Sequence, residues 1–351
     1  MSENTNGQDI VIVGWGLAGT ALAWELYFLG KSFSVKDSLE NHSTRVAAGL
    51  VNPVVFKRLT KSWNADVLMP SAADFYSRVE QVLEIKLLSR KSIFRVFASV
   101  EESNNWASKE GDDRFSSYLK SPSKEQLPAL STVQFPHGIG EVKTIGNLDT
   151  IKFLEASKDF FLEKGVQFDS GFFLEEELNP TKTYIFAEGY GLRKNPFFNY
   201  LPLNLTHGET LLIETQELNF DATLNKNMFV MQVAPTVYKA GATYNWELTE
   251  PVTTEAAKNE LIERLESFTT FEYKILEHKA GIRPTVIDRK PLLGVHPAQK
   301  NAFVFNGLGT KGVMIAPYYA GHLLDHILKG EALEREVDIQ RFEHYYLPNR
   351  K

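Results

Sequence analysis

The hydrophobic pattern at the start of the chain predicts a β-α-β unit. Asp9–Val13 is a continuous apolar run rich in β-branched residues, which is typical of a parallel strand buried on both faces. The stretch Leu17–Leu29 has helical spacing and stops before Gly30, a residue suited to the position after a helix. Ser32–Lys36 alternates like a second strand and is followed by Asp37. A glycine-containing turn therefore joins a buried strand to a helix here.

Further along the chain, similar steps flank a region with a different pattern. A helix over Asp149–Lys164 and a buried strand over Thr183–Gly189 continue the α-β alternation. Three apolar segments between 210 and 243 look like antiparallel strands, and a Glu- and Lys-rich helix over Thr254–Phe268 follows them. The polar, Ser-rich segment Glu101–Pro128 predicts surface excursions without a motif.

These patterns predict two structural units built from interleaved segments. The chain has 351 residues, more than a single hydrophobic core usually supports. We expect an α/β plus α+β architecture in which segments 1–85, 140–205 and 277–351 form a discontinuous Rossmann-like domain. An antiparallel-sheet domain, made of 86–139 and 206–276, would be inserted into it and would hold the substrate.

Composition limits the partners, cofactor linkages and metal sites that this chain could have. A formal net charge of -6 provides no basic field for a nucleic-acid backbone, so no nucleic-acid partner is expected. The chain has no cysteine, which excludes disulfides and a cofactor bonded to cysteine, and its eight scattered histidines form no metal-binding motif. The polar start lacks the features of a secretory signal, and the uncharged run Ile10–Trp24 is too short for a membrane span. We therefore expect a cytoplasmic protein.

The first glycine turn has the spacing of a dinucleotide-binding motif. Gly14 would allow the tight turn, Gly16 the approach of a pyrophosphate to the backbone, and Gly19 the close packing of helix on strand. Asp37 stands 23 residues (37 − 14) after Gly14, near the place where an acid meets the adenosine ribose. Read alone, the glycines could shape an ordinary turn, and the motif does not separate NAD from FAD. The predicted contacts are Gly14, Gly16, Leu17, Ala18, Gly19 and Asp37.

Three segments near the C-terminal end decide between the cofactors. Ala280–Thr285 contains G-x-R-P, Asp288–Gly294 reads D-x-x-P-x-x-G, and Asn306–Pro317 contains a glycine-rich helix start. In this order they resemble the signature of the D-amino-acid oxidase superfamily, most closely its glycine oxidase and sarcosine oxidase branch. The resemblance implies FAD, bound non-covalently or at least not through cysteine, in a Rossmann-like domain of the GR2 type.

The same resemblance implies cofactor contacts elsewhere. The turn 307–312 would place backbone N–H groups against the pyrimidine edge of the flavin, where the reduced ring carries negative charge that a helix N-terminus favours. Lys311 would add a fixed charge there or remain solvated. The family's strand-end motif usually reads A-A-G or A-T-G, whereas this chain has Glu188 before Gly189. The contacts implied in this way are Ala48, Gly49, Val166, Gly189, Gly307, Gly309, Thr310, Lys311 and Gly312.

Four residues are candidates for the catalytic site. Arg283 resembles the family arginine whose planar fork binds a substrate carboxylate and thereby fixes its orientation. Lys57 and Arg58 could supply a second anion contact or an oxygen-activating cation, or could be solvated surface charges. Tyr244 could form a wall of the substrate pocket, or simply pack with Trp246 as an aromatic pair.

The resemblance implies an enzyme that oxidises the C–N bond of an amino acid or N-substituted amino acid to an imine, by hydride transfer to flavin N5. Its partners would be a small amino-acid-like substrate and oxygen or another electron acceptor. Three alternatives stay open. They are a flavoprotein acting on a carboxymethylamino group of tRNA uridine, which the negative charge disfavours, an FAD electron-transfer protein that oxidises no amine, and an NAD enzyme.

Overall fold

The computed structural model describes residues 9–40, 43–123, 130–218, 220 and 222–346. Its strands are β1 Asp9–Val13, β2 Phe33–Asp37, β3 Val54–Val55, β4 Thr60–Lys61, β5 Leu88–Ser89, β6 Ile93–Val96, β7 Leu119–Lys120, β8 Ile139–Val142, β9 Asn147–Leu148, β10 Phe168–Ser170, β11 Lys182–Phe186, β12 Thr206–Glu214, β13 Thr223–Asn225, β14 Phe229–Ala234, β15 Val237–Gly241, β16 Lys274–Arg283, β17 Leu292–Val295 and β18 Ala302–Asn306. Its α-helices are α1 Leu17–Phe28, α2 Ser43–Val46, α3 Ala65–Leu83, α4 Val100–Glu110, α5 Thr150–Glu163, α6 Glu255–Glu266 and α7 Gly312–Lys329. None of these helices is long and apolar enough to cross a membrane.

A six-stranded sheet carries the predicted β-α-β unit. Its order is β10-β2-β1-β11-β18-β17, and all neighbours are parallel except β17, which runs antiparallel to β18. In β1, Ile10 and Ile12 point into the core shared with α1, α3, α5 and α7, while Val11 and Val13 point into the core on the other face. The strand is therefore buried on both faces, as its apolar run predicts.

An eight-stranded sheet forms the second unit. Its order is β16-β12-β15-β14-β13-β6-β8-β7, and its neighbours are antiparallel except for the parallel pair β13 and β6. Helix α6 packs on one face, where Leu211 and Ile213 of β12 meet Leu261 and Leu265 of the helix. The other face lines a cavity described below. Residues in register across that face are Arg95, Asn225, Phe229, Gly241 and Thr210.

The expected mixed architecture is confirmed, with a mainly parallel sheet and a mainly antiparallel sheet in one chain. The division into domains stays a prediction. Two strands of the eight-stranded sheet, Ile139–Val142 and Lys274–Arg283, extend across the predicted limits at 140 and 277.

The polar segment Glu101–Pro128, expected to form surface excursions, contains most of a helix, α4, which begins at Val100 and buries only Trp106. The hydroxyl of Ser99 accepts a hydrogen bond from the N–H of Glu102 at 3.2 Å, and Glu102 Oε2 accepts one from the N–H of Ala98 at 2.7 Å. Such reciprocal capping stabilises a helix start even where the helix buries little apolar surface. Residues 124–129 of that segment lie outside the described residues.

Candidate functional site

A cavity of about 1230 Å³ lies between the two sheets. The first glycine turn contributes Gly14 and Gly16 to its wall. The turn before α7 contributes Gly309 and Gly312, and the eight-stranded sheet contributes Arg283. The fold thus brings both glycine-rich turns and the candidate substrate contact to one space, although the first and last of these residues are almost 300 positions apart in sequence.

The glycines of the first turn have distinct roles. Gly14 has a φ of +107°, and a Cβ there would lie 2.6 Å from the carbonyl oxygen of Ala187, the residue after β11. A Cβ at Gly19 would lie 2.0 Å from the carbonyl oxygen of Gly14, so this glycine allows α1 to pack on β1. At Gly16 a Cβ would contact only Thr44 Oγ1, at 3.4 Å, so the backbone there stays open to the cavity.

Asp37, at the end of β2, orients the same turn. Its Oδ1 accepts a hydrogen bond from the N–H of Trp15 at 2.9 Å, and within the described ranges Oδ2 has no protein donor. Leu17 and Ala18, at the start of α1, also line the cavity, and the N–H of Leu17 donates to Thr44 Oγ1 at 3.2 Å. A helix start with an acid at its side is the arrangement that dinucleotide binding requires.

A second carboxyl group, that of Glu188, lies at this end of the cavity. Its Oε2 accepts a hydrogen bond from Asn195 Nδ2 at 2.7 Å. Burial raises the pKa of Glu188 to about 7, and the nearby negative charge of Asp37 acts in the same direction, while the Asn195 hydrogen bond opposes both. The residue that departs from the family's strand-end motif therefore adds an acid whose charge changes near neutral pH.

The turn before α7 forms a further part of the cavity wall, next to the start of α1, since a Cβ at Gly312 would lie 2.9 Å from Leu17 Cδ2. Gly307 has a φ of +74°, and a Cβ there would lie 2.5 Å from Val286 Cγ2. Gly309, with a φ of +54°, donates its N–H to the carbonyl of Pro284 at 3.2 Å. Helix α7 then begins at Gly312, and the residues at its start, Gly309, Thr310, Lys311 and Gly312, line the cavity.

Lys311 is half-buried beside that helix start. Its Nζ donates hydrogen bonds to the carbonyl oxygen of Asn52, at 2.9 Å, and to Ser62 Oγ. Burial lowers the pKa of Lys311 to about 8. The ammonium is thus held by neutral oxygens at the part of the cavity wall where the resemblance places the flavin ring.

Arg283 ends β16 and is half-buried at the cavity wall. Its Nη1 lies 3.4 Å from the carbonyl oxygens of both His207 and Thr243, and no carboxylate of the described residues forms an ion pair with it. Burial lowers the pKa of Arg283, but a guanidinium stays charged in proteins. A positive charge without a carboxylate partner therefore faces the cavity.

The other three candidates for the catalytic site also line the cavity. Lys57 and Arg58 are exposed on the turn that joins β3 to β4. Tyr244 is 53% exposed, and its ring lies 4.5 Å from the guanidinium carbon of Arg283. The rings of Tyr244 and Trp246 are 6.5 Å apart, so the predicted aromatic pair is formed, yet Trp246 is 61% exposed rather than packed in a core.

A comparison with protein families identifies the family of this chain and its cofactor. A sequence model of the FAD dependent oxidoreductase family, DAO, matches residues 9–326. The chain belongs to this family. FAD is therefore its cofactor, and since the sequence has no cysteine, it holds FAD without a bond to that residue. The NAD alternative is excluded.

Solved structures show the same fold across almost the whole oxidoreductase. Glycine oxidase from Geobacillus kaustophilus has a TM-score of 0.78 at 17% identity and covers 96% of this chain and 98% of its own. Iminodiacetate oxidase from Chelativorans sp. BNC1 has a TM-score of 0.74 at 18% identity, with 95% and 98% covered. L-alpha-glycerophosphate oxidase from Mycoplasma pneumoniae, solved with FAD bound, has a TM-score of 0.70 at 14% identity, with 94% and 97% covered.

The residues that line the cavity of this oxidoreductase fit FAD. An open backbone at Gly16 and the start of α1 suit a pyrophosphate, and Asp37 Oδ2 is available to ribose hydroxyls. Next to the start of α1, the start of α7 and the Lys311 ammonium suit the electron-rich pyrimidine edge of a flavin. No cluster of three or more His, Asp or Glu side chains suited to a metal occurs in the described part of the chain.

Most, but not all, of the predicted contacts reach the cavity. The predicted contacts that line it are Gly14, Gly16, Leu17, Ala18, Asp37, Ala48, Gly49, Gly189, Gly309, Thr310, Lys311 and Gly312. Gly19, Val166 and Gly307 lie outside its lining. Val166 packs against the main hydrophobic core, and the two glycines shape the turns instead. As contacts to the cofactor, all of these residues stay predictions.

Other lining residues have no motif that could have revealed them. Arg95 and Asn225 belong to neighbouring strands that are 130 positions apart in sequence, and they meet only through sheet register. Phe56, on the turn after β3, lies with its ring 5.0 Å from the Arg95 guanidinium carbon. Thr44 caps the start of α1 across a 27-residue separation. A recognisable signal exists only for Glu188, as a departure from the strand-end motif.

Proposed function

We propose that this FAD dependent oxidoreductase oxidises the C–N bond of an amino acid or N-substituted amino acid to an imine. The observation that carries the proposal is the Arg283 guanidinium, which faces the cavity without a carboxylate partner among the described residues. A half-buried charge of this kind is costly unless a ligand completes its ion pair. A substrate carboxylate supplies that partner, with two parallel hydrogen bonds that fix both position and orientation.

The guanidinium is held in place before any ligand binds. A Cβ at Gly208 would lie 2.2 Å from Nη2 of Arg283, so the arginine occupies the space that any side chain at Gly208 would need. On another side, the Tyr244 ring covers it at 4.5 Å. Because its position is fixed by β12 and by Tyr244, little conformational entropy is lost when a carboxylate binds.

The proposed oxidation requires FAD, water and an electron acceptor. FAD, when bound, accepts a hydride from the carbon that carries the amine. The substrate nitrogen releases its proton, the C–N single bond becomes a double bond, and water then adds to give an oxo acid and a free amine. The hydride's two electrons pass on to oxygen or to another acceptor. The chain's own contribution is to orient the carboxylate on Arg283, and thereby the C–H bond next to it.

The neighbouring structures support this choice of substrate. Glycine oxidase and iminodiacetate oxidase, by their names, act on compounds in which an amine and a carboxylate share one carbon. At 17% and 18% identity they share the fold with this chain, and the substrate class is our inference from Arg283. The proposed partner is accordingly a small amino-acid-like molecule, together with an electron acceptor.

Anaerobic bleaching of the flavin tests the proposal. The FAD-loaded protein is mixed with glycine, sarcosine and a panel of other amino acids, and the loss of flavin absorbance is followed with time. We expect at least one of them to bleach the wild type. We expect Arg283→Gln to keep the flavin spectrum but to lose roughly 30-fold or more in the second-order rate of bleaching, since removing one partner of such a charge pair costs about 2 kcal/mol or more.

Arg114→Gln provides the matched control, because Arg114 is exposed, pairs with Asp112 and lies away from the cavity. It should bleach at the wild-type rate. If no amine of the panel bleached the wild type, an electron-transfer protein would be the better description. If Arg283→Gln bleached as fast as the control, the carboxylate-binding role would be wrong.

A further inference from the structure

Two large aromatic side chains are exposed next to Arg283. We define Tyr244 and Trp246 as the aromatic platform. Their exposed fractions are 53% and 61%, and their rings are 6.5 Å apart at an interplanar angle of 31°. Large aromatic rings usually bury most of their surface, so two neighbouring exposed rings indicate a binding surface more often than a chance arrangement.

The segment that carries the aromatic platform is fixed rather than loose. His207 and Asn245 exchange two backbone hydrogen bonds, of 2.8 and 3.0 Å. The Asn245 side chain accepts hydrogen bonds from the N–H groups of Glu247, at 2.7 Å, and Leu248, at 3.0 Å. Residue 245 is therefore tied on both sides, and the two rings that flank it are presented by an ordered backbone.

The buried residue Glu209 holds both ends of this segment, Thr243 through its backbone and Thr254 through its carboxylate. The Glu209 backbone pairs with Thr243, whose Oγ1 accepts its N–H at 2.9 Å. Its side chain accepts hydrogen bonds from the N–H and the hydroxyl of Thr254, each at 2.9 Å, and His278 Nε2 lies 2.7 Å away. A segment fixed at its start, middle and end loses little entropy when its exposed rings bind a ligand.

The aromatic platform is continuous with the proposed carboxylate site. The Tyr244 ring contacts the Arg283 guanidinium and lines the cavity, and the Trp246 ring is the next surface outward. The Tyr244 ring centre lies 4.5 Å from the Arg283 guanidinium carbon and 6.5 Å from the Trp246 ring centre. The Trp246 ring centre is therefore no more than 11.0 Å from the guanidinium carbon. A single small molecule can therefore reach both, with its carboxylate inside and its far end at the platform.

We propose that the substrate carries a planar aromatic ring, which stacks on the aromatic platform while its carboxylate binds Arg283. This inference rests on the proposed function and narrows its substrate class. The ring is attached either to the amine nitrogen, as in N-benzylglycine, or to the carbon that carries the amine, as in phenylalanine. Stacking suits either attachment because every aromatic ring offers the same flat face to Tyr244 and Trp246.

The first test measures binding without turnover, on the FAD-loaded protein. Benzyloxyacetate and methoxyacetate both carry a carboxylate and an ether oxygen in place of the amine, but only the first has a ring. Their dissociation constants are read from the perturbation of the flavin spectrum. We expect benzyloxyacetate to bind roughly tenfold more tightly than methoxyacetate, and this ratio to fall towards one in Trp246→Ala. Trp246→Phe, which keeps a ring, should restore most of it.

Val252→Ala is the matched control, since Val252 is an exposed apolar residue on the same segment and does not line the cavity. It should keep the wild-type ratio. Equal dissociation constants for the two ethers in the wild type would overturn the proposal, as would an unchanged ratio in Trp246→Ala. If Trp246→Ala changed the oligomeric state in gel filtration and left the ratio unchanged, the platform would be a protein interface instead.

The second test separates this inference from the proposed function. N-benzylglycine, phenylalanine of either hand and sarcosine are compared in anaerobic bleaching. Faster bleaching by N-benzylglycine, or by one form of phenylalanine, supports the aromatic platform and tells which atom carries the ring. Bleaching by sarcosine at an equal or greater rate than by both aromatic compounds would overturn the platform and leave the amine oxidation intact. Bleaching by none of them would count against amine oxidation itself.

Discussion

Two arginines line the same cavity wall but are bound in opposite ways. Arg95, on β6, donates to Glu102 Oε1 and to Asn225 Oδ1, each at 2.7 Å, and is 7% exposed. Among the described residues, Arg283, on β16, donates hydrogen bonds only to backbone carbonyls, at 3.4 Å, and has no carboxylate partner. One guanidinium has its partners within the chain, whereas the other lacks an anion.

The position of each arginine on the sheet determines whether a carboxylate of the chain can pair with it. Arg95 lies where β6 meets the start of α4, so a helix with acids in its first turn can supply Glu102. Arg283 lies at the end of an edge strand, beside Gly208, and its hydrogen-bond acceptors in the described part of the chain are the peptide oxygens of His207 and Thr243. We expect the first arginine to act on stability and the second on ligand binding.

Replacing Arg95 should have the largest effect on stability. Arg95→Gln leaves the Glu102 carboxylate without its cation in a nearly buried site, and such a change costs about 3 kcal/mol of the free energy of unfolding. Urea unfolding of the FAD-loaded protein measures it. The matched change at Arg283 should cost less than about 1 kcal/mol, because no carboxylate is left unpaired.

The double variant R95Q/E102Q tests whether the unpaired Glu102 carboxylate causes the loss of stability in Arg95→Gln. Without the orphaned carboxylate, it should recover more than half of the stability that Arg95→Gln loses. If Arg95→Gln were as stable as the wild type and instead weakened binding of the carboxylate ligands described above, then the roles assigned to the two arginines would be reversed.

A half-buried negative charge, that of Glu188, should affect stability less than the pairing of Arg95 does, and its effect should depend on pH. Its pKa is raised from an ordinary value of 4.5 to about 7, so its contribution to stability is present below pH 4.5 and is lost as the pH rises through 7. Relative to Glu188→Gln, the wild type should lose roughly 1 to 2 kcal/mol between pH 5 and pH 8, after allowance for solvent screening. Urea titrations of both proteins across this range measure the difference.

Asn195→Ala, which removes the hydrogen bond to Glu188 Oε2, offers a check on the cause. That hydrogen bond favours the charged form of Glu188, so its loss should increase the pH dependence. A difference between wild type and Glu188→Gln that stays constant from pH 5 to pH 8 would show that Glu188 does not titrate there.

The sequence predicts elements well where one periodicity dominates. The strand Asp9–Val13 is continuous and apolar because both of its faces are buried, and its limits agree with the structure. Strand β16, Lys274–Arg283, was not predicted because it lies at the edge of its sheet, where charged residues replace the apolar alternation. Helix α4 likewise buries a single large residue, Trp106, and so has almost no apolar face.

In the candidate site, a charged residue within a motif can be found from the sequence, but the residues that pair with a charged side chain cannot. Arg283 stands in a G-x-R-P segment and can be singled out from sequence alone. That Arg95 is paired depends on Asn225, 130 positions away, and on Glu102 of an unpredicted helix. Whether a cation is free or paired is a property of the fold, and for this reason the comparison between the arginines needs the structure.

The smallest effect is expected from the exposed cations Lys57 and Arg58, at the turn that joins β3 to β4. Exposed charges contribute about 0.2 to 1 kcal/mol, so Lys57→Ala and Arg58→Ala should each lower kcat/KM by less than about fivefold. Because such charges act through solvent, the loss should shrink when the salt concentration is raised from about 50 mM to about 500 mM. The loss in Arg283→Gln should persist, since contact with the carboxylate excludes salt. A loss above about tenfold in either Ala variant that salt leaves unchanged, above all in flavin reoxidation by oxygen, would place that cation next to the reacting atoms.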